Sequence, residues 1–359
     1  MNKNLYVVLM AGGVGVRFWP YSRNSKPKQF LDVLGTGKTL LQSTFDRFLP
    51  ICPVENIYVV THEEHASLVL QQLPALKEEQ VLTEPMRKNT ACCIAYASYK
   101  IAEKNSDAVI VVTPSDHLIL KEQEFLDVIK KAADQAKGQD KLMTLGITPT
   151  RPETGYGYIQ YHTEKSFAKK VKTFTEKPEL SLAKKFLESG DFVWNSGIFI
   201  WGVKAILDAF HQHLPETAEV FDEIVKPKLG TAGEKEGILA AYSQSKSISI
   251  DYGIMEKASN VYVCLGNFTW SDLGSWGSIH EISEKDDNNN VLAANAITYE
   301  TRNSIIKGSP DKLIVVQGLN GYLIGEFGNV VIVCEKDKEE QFRKFVNDVK
   351  TRPNATDFI

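Results

Sequence analysis

The sequence lacks any apolar run near the ~20 residues that a membrane-spanning helix needs. No secretory leader is expected from its opening residues, since Met1-Asn2-Lys3-Asn4 is followed at once by a strand-length apolar run, Leu5 to Met10. Charge of one sign is missing too, with 41 Lys and Arg against 45 Asp and Glu and a net charge of −4. No broad basic face for nucleic acid or lipid is therefore expected, and any anion site must be local. Cysteines are few and odd in number, five with no C-x-x-C pair, which excludes a disulfide scaffold and a zinc ribbon. Free, mostly buried thiols in a reducing, cytoplasmic compartment are the expectation. What remains is ordinary globular material: 359 residues, 43% hydrophobic and 24% charged, enough for one large domain and a small one.

The first part alternates β-branched runs with helical patterns. Leu5–Met10, Ile57–Thr61 and Ala108–Thr113 read as strands, while 39–49, 63–73, 89–103 and 122–137 read as helices. Such alternation predicts a Rossmann-like, mostly parallel mixed α/β sheet with helices on both faces. From about 141 to 201 consecutive strands, interrupted by a helix near 180–189, predict an antiparallel extension beside that sheet. The polar stretch from Glu284 to Asn290 suits an exposed linker. Short strands separated by turns follow, then a charged helix from Lys336 to about Val349 and a loose tail at 351–359. The predicted division is a large domain over 1–283, a linker over 284–294 and a small all-β unit over 295–359.

The first strand runs into Ala11-Gly12-Gly13-Val14-Gly15-Val16-Arg17-Phe18-Trp19-Pro20. Glycines after a first strand let backbone N–H groups approach a polyphosphate. Neither familiar phosphate-loop spacing fits. The dinucleotide fingerprint G-x-G-x-x-G begun at Gly13 needs glycine where Phe18 stands, and the P-loop ending at Gly37-Lys38-Thr39 needs one where Asp32 stands. Arg17, Arg23, Lys26 and Lys28 follow within a dozen residues and predict a local anion trap. The alternative is a solvated basic loop, although Pro20, Pro27 and the interleaved aromatics give it more stiffness than such a loop needs.

The ordered string Gly12-Gly13-x-Gly15-x-Arg17-x-Trp19-Pro20-x-Ser22-Arg23-x-x-x-Pro27-Lys28-Gln29-Phe30 resembles the signature of the sugar-1-phosphate nucleotidylyltransferases. Within them it is most similar to the mannose-1-phosphate guanylyltransferases, and later motifs follow in the same order along nearly the whole chain. The resemblance implies transfer of GMP from GTP to mannose 1-phosphate, with GDP-mannose and pyrophosphate as products. It implies Mg²⁺ as cofactor and a homodimer, with no nucleic-acid or membrane partner. It also implies that the C-terminal β unit is a short left-handed β-helix, as in the single-function members of the family.

Pro114-Ser115-Asp116-His117 stands just past a predicted parallel strand, where open α/β sheets bind ligands. By itself Asp116 reads equally as a helix N-cap. The resemblance makes it a metal ligand, paired with Asp272 of Trp270-Ser271-Asp272-Leu273-Gly274, which alone would be a turn residue. Glu84-Pro85-Met86-Arg87-Lys88-Asn89-Thr90 resembles the base-recognition segment; a carboxylate there suits the N1–H and N2 donors of guanine. Asn89 serves equally as an N-cap. With Gly12, Gly13, Gly15 and Ser115, Glu84, Asn89 and Thr90 make the expected nucleotide site. Gly157 of Gly155-Tyr156-Gly157-Tyr158, Glu176 of Glu176-Lys177-Pro178 and Asn195 of Asn195-Ser196-Gly197 are the sugar-binding residues the family implies. Arg17, Lys28 and Lys177 are the implied catalytic cations. The segment Ser249-Ile250-Asp251-Tyr252-Gly253-Ile254-Met255-Glu256-Lys257 also resembles a family segment, and helix capping is expected of it before chemistry.

No Ser/His/Asp or Cys/His set accompanies these residues, nor does phosphoryl chemistry of this kind call for one. A sugar phosphate is already largely dianionic at neutral pH, because its second pKa is about 6. The rival readings are a sister transferase for another sugar 1-phosphate, such as a heptose, and a non-catalytic regulator that binds nucleotide sugar. A NAD-dependent oxidoreductase is a distant third.

Overall fold

The computed structural model describes residues 2–338 and 340–359. The chain forms two compact units, and their boundaries do not follow the expected linear order. The larger unit contains residues through Gly12, Thr44–Ser115 and Ile119–Trp270; the smaller contains Gly13–Ser43, Asp116–Leu118 and Ser271–Ile359. The glycine-rich segment and the Asp116 turn thus pack with the C-terminal β unit, and a single cut near 284 does not describe the division.

The strands up to Ser271 are β1 (Leu5–Met10), β2 (Ile57–His62), β3 (Val81–Glu84), β4 (Val109–Pro114), β5 (Leu118–Ile119), β6 (Leu142–Ile147), β7 (Tyr158–Tyr161), β8 (Ala168–Thr175), β9 (Phe192–Gly202), β10 (Val261–Leu265) and β11 (Trp270–Ser271). Nine of them form the sheet of the larger unit, in the order β3-β2-β1-β4-β9-β6-β10-β8-β7. By their pairings only β8 and β9 run against the rest, which is the mostly parallel mixed sheet that the sequence predicts. The inner strands β1 and β4 are apolar and buried along almost their whole length, as strands covered on both faces must be.

The expected side extension is placed differently: β9 lies inside the sheet, hydrogen-bonded to both β4 and β6. A further pairing of β7 with β9 closes β9, β6, β10, β8 and β7 into a ring. Periodicity cannot reveal this, because strand order is a tertiary property. The helix Asn89–Lys104 is buried from Ala91 to Ile101 and fills the core with Cys92, Ile94 and Tyr99. Glu122–Ala136 buries Phe125, Leu126, Ile129 and Ala133, the spacing of one helix face.

In the smaller unit the strands are β12 (Val291–Ala293), β13 (Asn295–Tyr299), β14 (Ile305–Lys307), β15 (Leu313–Gln317), β16 (Tyr322–Phe327) and β17 (Val330–Glu335). β12, β14 and β16 pair in parallel, as do β13 and β15, and β17 closes antiparallel on β16. The partners Asn295 and Leu313, Arg302 and Asn320, and Ile305 and Leu323 are each 18 residues apart, the stacking of successive coils in a β-helix.

Two expectations fail here. The 284–294 stretch is not a loose linker: Asn290 is fully buried, donating to Asp286 and to the Thr301 carbonyl and accepting from the Ser304 amide. The 351–359 tail is not loose either. Trp19 Nε1 donates to the Phe358 carbonyl at 2.7 Å, and Arg23 and Asn329 donate to the Asp357 carbonyl. Phe18, Trp19, Trp276, Leu323 and Phe342 build the core of this unit. All five cysteines are free thiols, and four are buried. Among the described residues no helix is long and apolar enough to cross a membrane.

Candidate active site

In the smaller unit the glycine-rich turn is built around Lys28. Gly13 and Gly15 have φ of +85° and +69°, the left-handed region that L side chains avoid. A Cβ on Gly15 would also come within 2.8 Å of Lys28 Cβ. The turn therefore rests directly on the lysine stem. Lys28 is only 4% exposed, and its three ammonium donors are all engaged: Asp116 Oδ2 at 2.8 Å, the Asp272 carbonyl at 2.8 Å and the Leu273 carbonyl at 3.0 Å. This one side chain joins the two expected metal carboxylates' segments. Arg17 sits half-buried in the short 3-10 turn Val16–Phe18.

The anion trap expected of four cations is narrower than the sequence suggests. Arg23 donates to the Pro20, Phe327 and Asp357 carbonyls and holds the unit together. Three of its five donors face carbonyls, so its first duty is structural.

Burial alone would raise the Asp116 carboxyl, but the Lys28 ammonium and His117 outweigh it and hold it below its usual range. Asp116 is therefore ionised at neutral pH. It does not cap the following helix, whose N-cap position is Lys121. Asp272 Oδ1 accepts from the Gly274 amide at 2.9 Å, a turn bond, while Ser275 caps the helix Trp276–Ile282. The donor set is oxygen-only and suits a hard cation. No group of three or more metal-ligating side chains occurs among the described residues. Carboxylates are the donors Mg²⁺ takes, with water and phosphate oxygens in its remaining positions, and Lys28 binds the Asp116 carboxylate and the Asp272 backbone carbonyl.

In the larger unit Glu84 ends β3, at the C-terminal edge of the parallel strands. Its Oε1 accepts from the Tyr242 hydroxyl at 2.9 Å, and its Oε2 faces Gly12, where a Cβ would lie 4.0 Å away. Burial pushes the Glu84 carboxyl up to about 7, against the Tyr242 hydrogen bond and Arg87, which favour the ionised form. Asn89 has φ +65° and accepts from the adjacent Thr90 amide, so it does not cap the helix a turn further in. Thr90 Oγ1 accepts from the Ile250 amide at 2.9 Å. Ser115 is fully buried, its hydroxyl without a partner among the described residues.

The expected sugar residues meet because of strand register. Tyr158 lies opposite Thr175 on one side and Trp194 on the other, so Gly157 faces both Glu176 and Asn195. The Asn195 amide donates to the Gly157 carbonyl at 2.8 Å. A Cβ on Gly157 would collide with Glu176 Oε2 and come within 3.3 Å of Asn195 Cβ, so glycine is needed to leave the cradle open. Lys177, at φ +46°, pairs with Glu176 Oε1 at 2.7 Å.

Two residues of these clusters were not singled out by sequence, and a third was named without this role. Tyr242 lies 158 positions from Glu84, and no spacing rule connects them. Thr144 donates to Asn195 Oδ1 at 3.0 Å from inside β6. Helix capping was expected of the Asp251 segment, and Ser249 Oγ does accept from the Tyr252 amide at 3.2 Å, while Asp251 accepts from Asn195 Nδ2 at 2.8 Å. Its segment was visible as a motif; its direction was not.

The pattern of a nucleotidyl transferase family matches residues 6–289. The chain is 35% identical over 357 residues to a mannose-1-phosphate guanylyltransferase of Salmonella muenchen, covering 96% of this chain and 73% of that one. A protein of the same name from Sinorhizobium fredii is 34% identical, with 99% and 70% covered. The fold is similar to a crystal structure described as a mannose-1-phosphate geranyltransferase from Thermus thermophilus. The TM-score is 0.87 at 29% identity, over 97% of this chain and 100% of that one.

Proposed function

This chain belongs to the nucleotidyl transferase family, and from that premise we propose that it transfers GMP from GTP to mannose 1-phosphate, giving GDP-mannose and pyrophosphate. The observation that carries the reading is the three-strand register that sets Gly157, Glu176 and Asn195 around one small cradle, beside the exposed cation Lys177. Such a cradle suits a polyhydroxylated ring bearing a phosphate. Glu84 supports guanine, since a carboxylate oxygen facing the glycine-rich strand end accepts from N1–H and the N2 amino group.

The attacking oxygen belongs to the sugar phosphate and needs no general base, so positioning and charge neutralisation carry the acceleration. Arg17 stabilises the triphosphate and the departing pyrophosphate, while Lys28, its three donors filled, acts through the Asp116 and Asp272 segments that it holds. Lys28 also keeps Asp116 ionised. Lys177 holds the sugar phosphate, while Glu176 and Asn195 take its hydroxyls. Asp116 and Asp272 would hold Mg²⁺, which when bound neutralises phosphate charge and orients the α-phosphate. We place the reaction in the cytoplasm, in keeping with five unbridged cysteines. A homodimer is favoured by the apolar side chains Tyr299, Leu313 and Val315 exposed on the β13–β15 pair.

A pyrophosphate-release assay across the common nucleoside triphosphates and several sugar 1-phosphates tests the reading. Release with GTP and mannose 1-phosphate is expected. Release only with another pair reassigns the substrate, and silence throughout favours the regulatory role.

A further inference from the structure

Asp251 opens the short helical segment Asp251–Met255, whose first turn is capped by Ser249 Oγ accepting from the Tyr252 amide at 3.2 Å. The Ile250 amide donates to Thr90 Oγ1 and the Ala91 amide donates to the Ile248 carbonyl, anchoring this segment to the start of the helix Asn89–Lys104. From there the Asp251 carboxylate reaches Asn195. Asn195 Oδ1 accepts from the Gly197 amide at 3.2 Å, and the single proton of Thr144 Oγ1 is shared between Asn195 Oδ1 at 3.0 Å and the Ile198 carbonyl at 3.1 Å. The Gly197 donor and the Asp251 acceptor together set the amide orientation: one N–H goes to Asp251, and one N–H remains. Across the cradle, Glu176 Oε2 is buried with no partner among the described residues. A buried carboxylate oxygen left without a donor is costly, and such an orphan marks a place for a ligand's hydroxyl.

We propose that Asp251 is a specificity-determining residue of the sugar site: it sets Asn195 as a hydrogen-bond donor and, with Glu176, presents two carboxylates to neighbouring hydroxyls of a sugar 1-phosphate. The proposal rests on the transferase reading for its ligand class. Two acids facing one cradle are consistent with their surroundings. Burial, then the Glu176 charge, lifts the Asp251 carboxyl to about 6, while Asn195 and Lys177 favour its ionised form. Glu256, on the same helical segment, accepts from the Glu176 amide and is the remaining acid nearby. Hydroxyl donors from a bound ring would relieve this crowding of acceptors.

The test uses the full chain with GTP and mannose 1-phosphate. Asp251→Asn should raise the KM for mannose 1-phosphate about tenfold or more, the scale of one hydrogen bond to a charged group, with the KM for GTP unchanged. Because the sugar phosphate itself titrates near pH 6, its kcat/KM should bend there in both proteins, and the bend should be shallower in Asp251→Asn, which keeps only the substrate's ionisation. Thr144→Val, which leaves the Gly197 amide as the one donor to the Asn195 oxygen, should also raise the sugar-phosphate KM selectively, and it covers the case in which Asp251→Asn fails to fold. Equal losses for GTP and sugar phosphate, or an unchanged sugar-phosphate KM in both variants, overturn the proposal alone. A wild type inactive with every sugar 1-phosphate overturns it together with the transferase reading.

Discussion

Lys28 shows how much one side chain can decide. A cation buried to this degree survives only with its donors filled, and here a carboxylate and two carbonyls fill them. Lys28→Met should lower stability by about 1–3 kcal/mol, because Asp116 and two carbonyls lose their donor. Turnover should fall by about 100-fold or more; thermal melting and pyrophosphate release read the two effects separately. Asp116→Ala should leave a folded protein with a similar loss of turnover, and addition of Mg²⁺ should activate it less than wild type. Glu84 carries a pH signature. With its carboxyl near 7, the acceptor form needed for guanine is lost as pH falls through neutrality. The KM for GTP should rise below about pH 7. Tyr242→Phe removes a bond that favours ionisation, so it should move that bend to higher pH. A KM for GTP that is flat across this range in both proteins would remove Glu84 from base recognition.

At the scale of elements, the sugar cradle is a consequence of pairing. β7 is hydrogen-bonded on both sides, and a register one residue away would turn Glu176 and Asn195 from Gly157. Gly157→Ala places a methyl group against Glu176 Oε2 and Asn195 Cβ. It should raise the KM for mannose 1-phosphate by about tenfold or more while the KM for GTP changes little. The motif residues themselves were legible, because they lie in short strings with recognisable order. Their meeting was not, since nothing local to 157, 176 or 195 states which strands pair. The same holds for Asp251: the segment was visible, but a side chain that could cap a helix or reach across to β9 is sorted only by the packing around it.

For the whole molecule, two buried acids tie stability to pH. Glu84 and Asp251 have native pKa values raised to about 7 and about 6, so the unfolded chain releases their protons first. Their contribution to stability is therefore fullest at acid pH, below the unfolded values, and is lost as pH rises through 6 to 7. Asp116, depressed, acts oppositely and only in more acid solution. Glu84→Gln should flatten the dependence of Tm on pH between about 5 and 8; a slope equal to wild type would show that Glu84 does not titrate there.

The sequence by itself determined the alternation of strands and helices, the β unit near the C-terminus and the order of charged and glycine motifs, because these are written in local periodicity and short strings. Tertiary structure alone decided that β9 lies inside the sheet, that the glycine-rich segment folds with the β-helix unit and that the tail is tied down by Trp19 and Arg23. It also decided that Lys28 is engaged by Asp116 and that Asp251 turns to Asn195. Those outcomes depend on which distant backbone and side-chain groups satisfy one another once water is excluded, and no window of neighbouring residues contains that information.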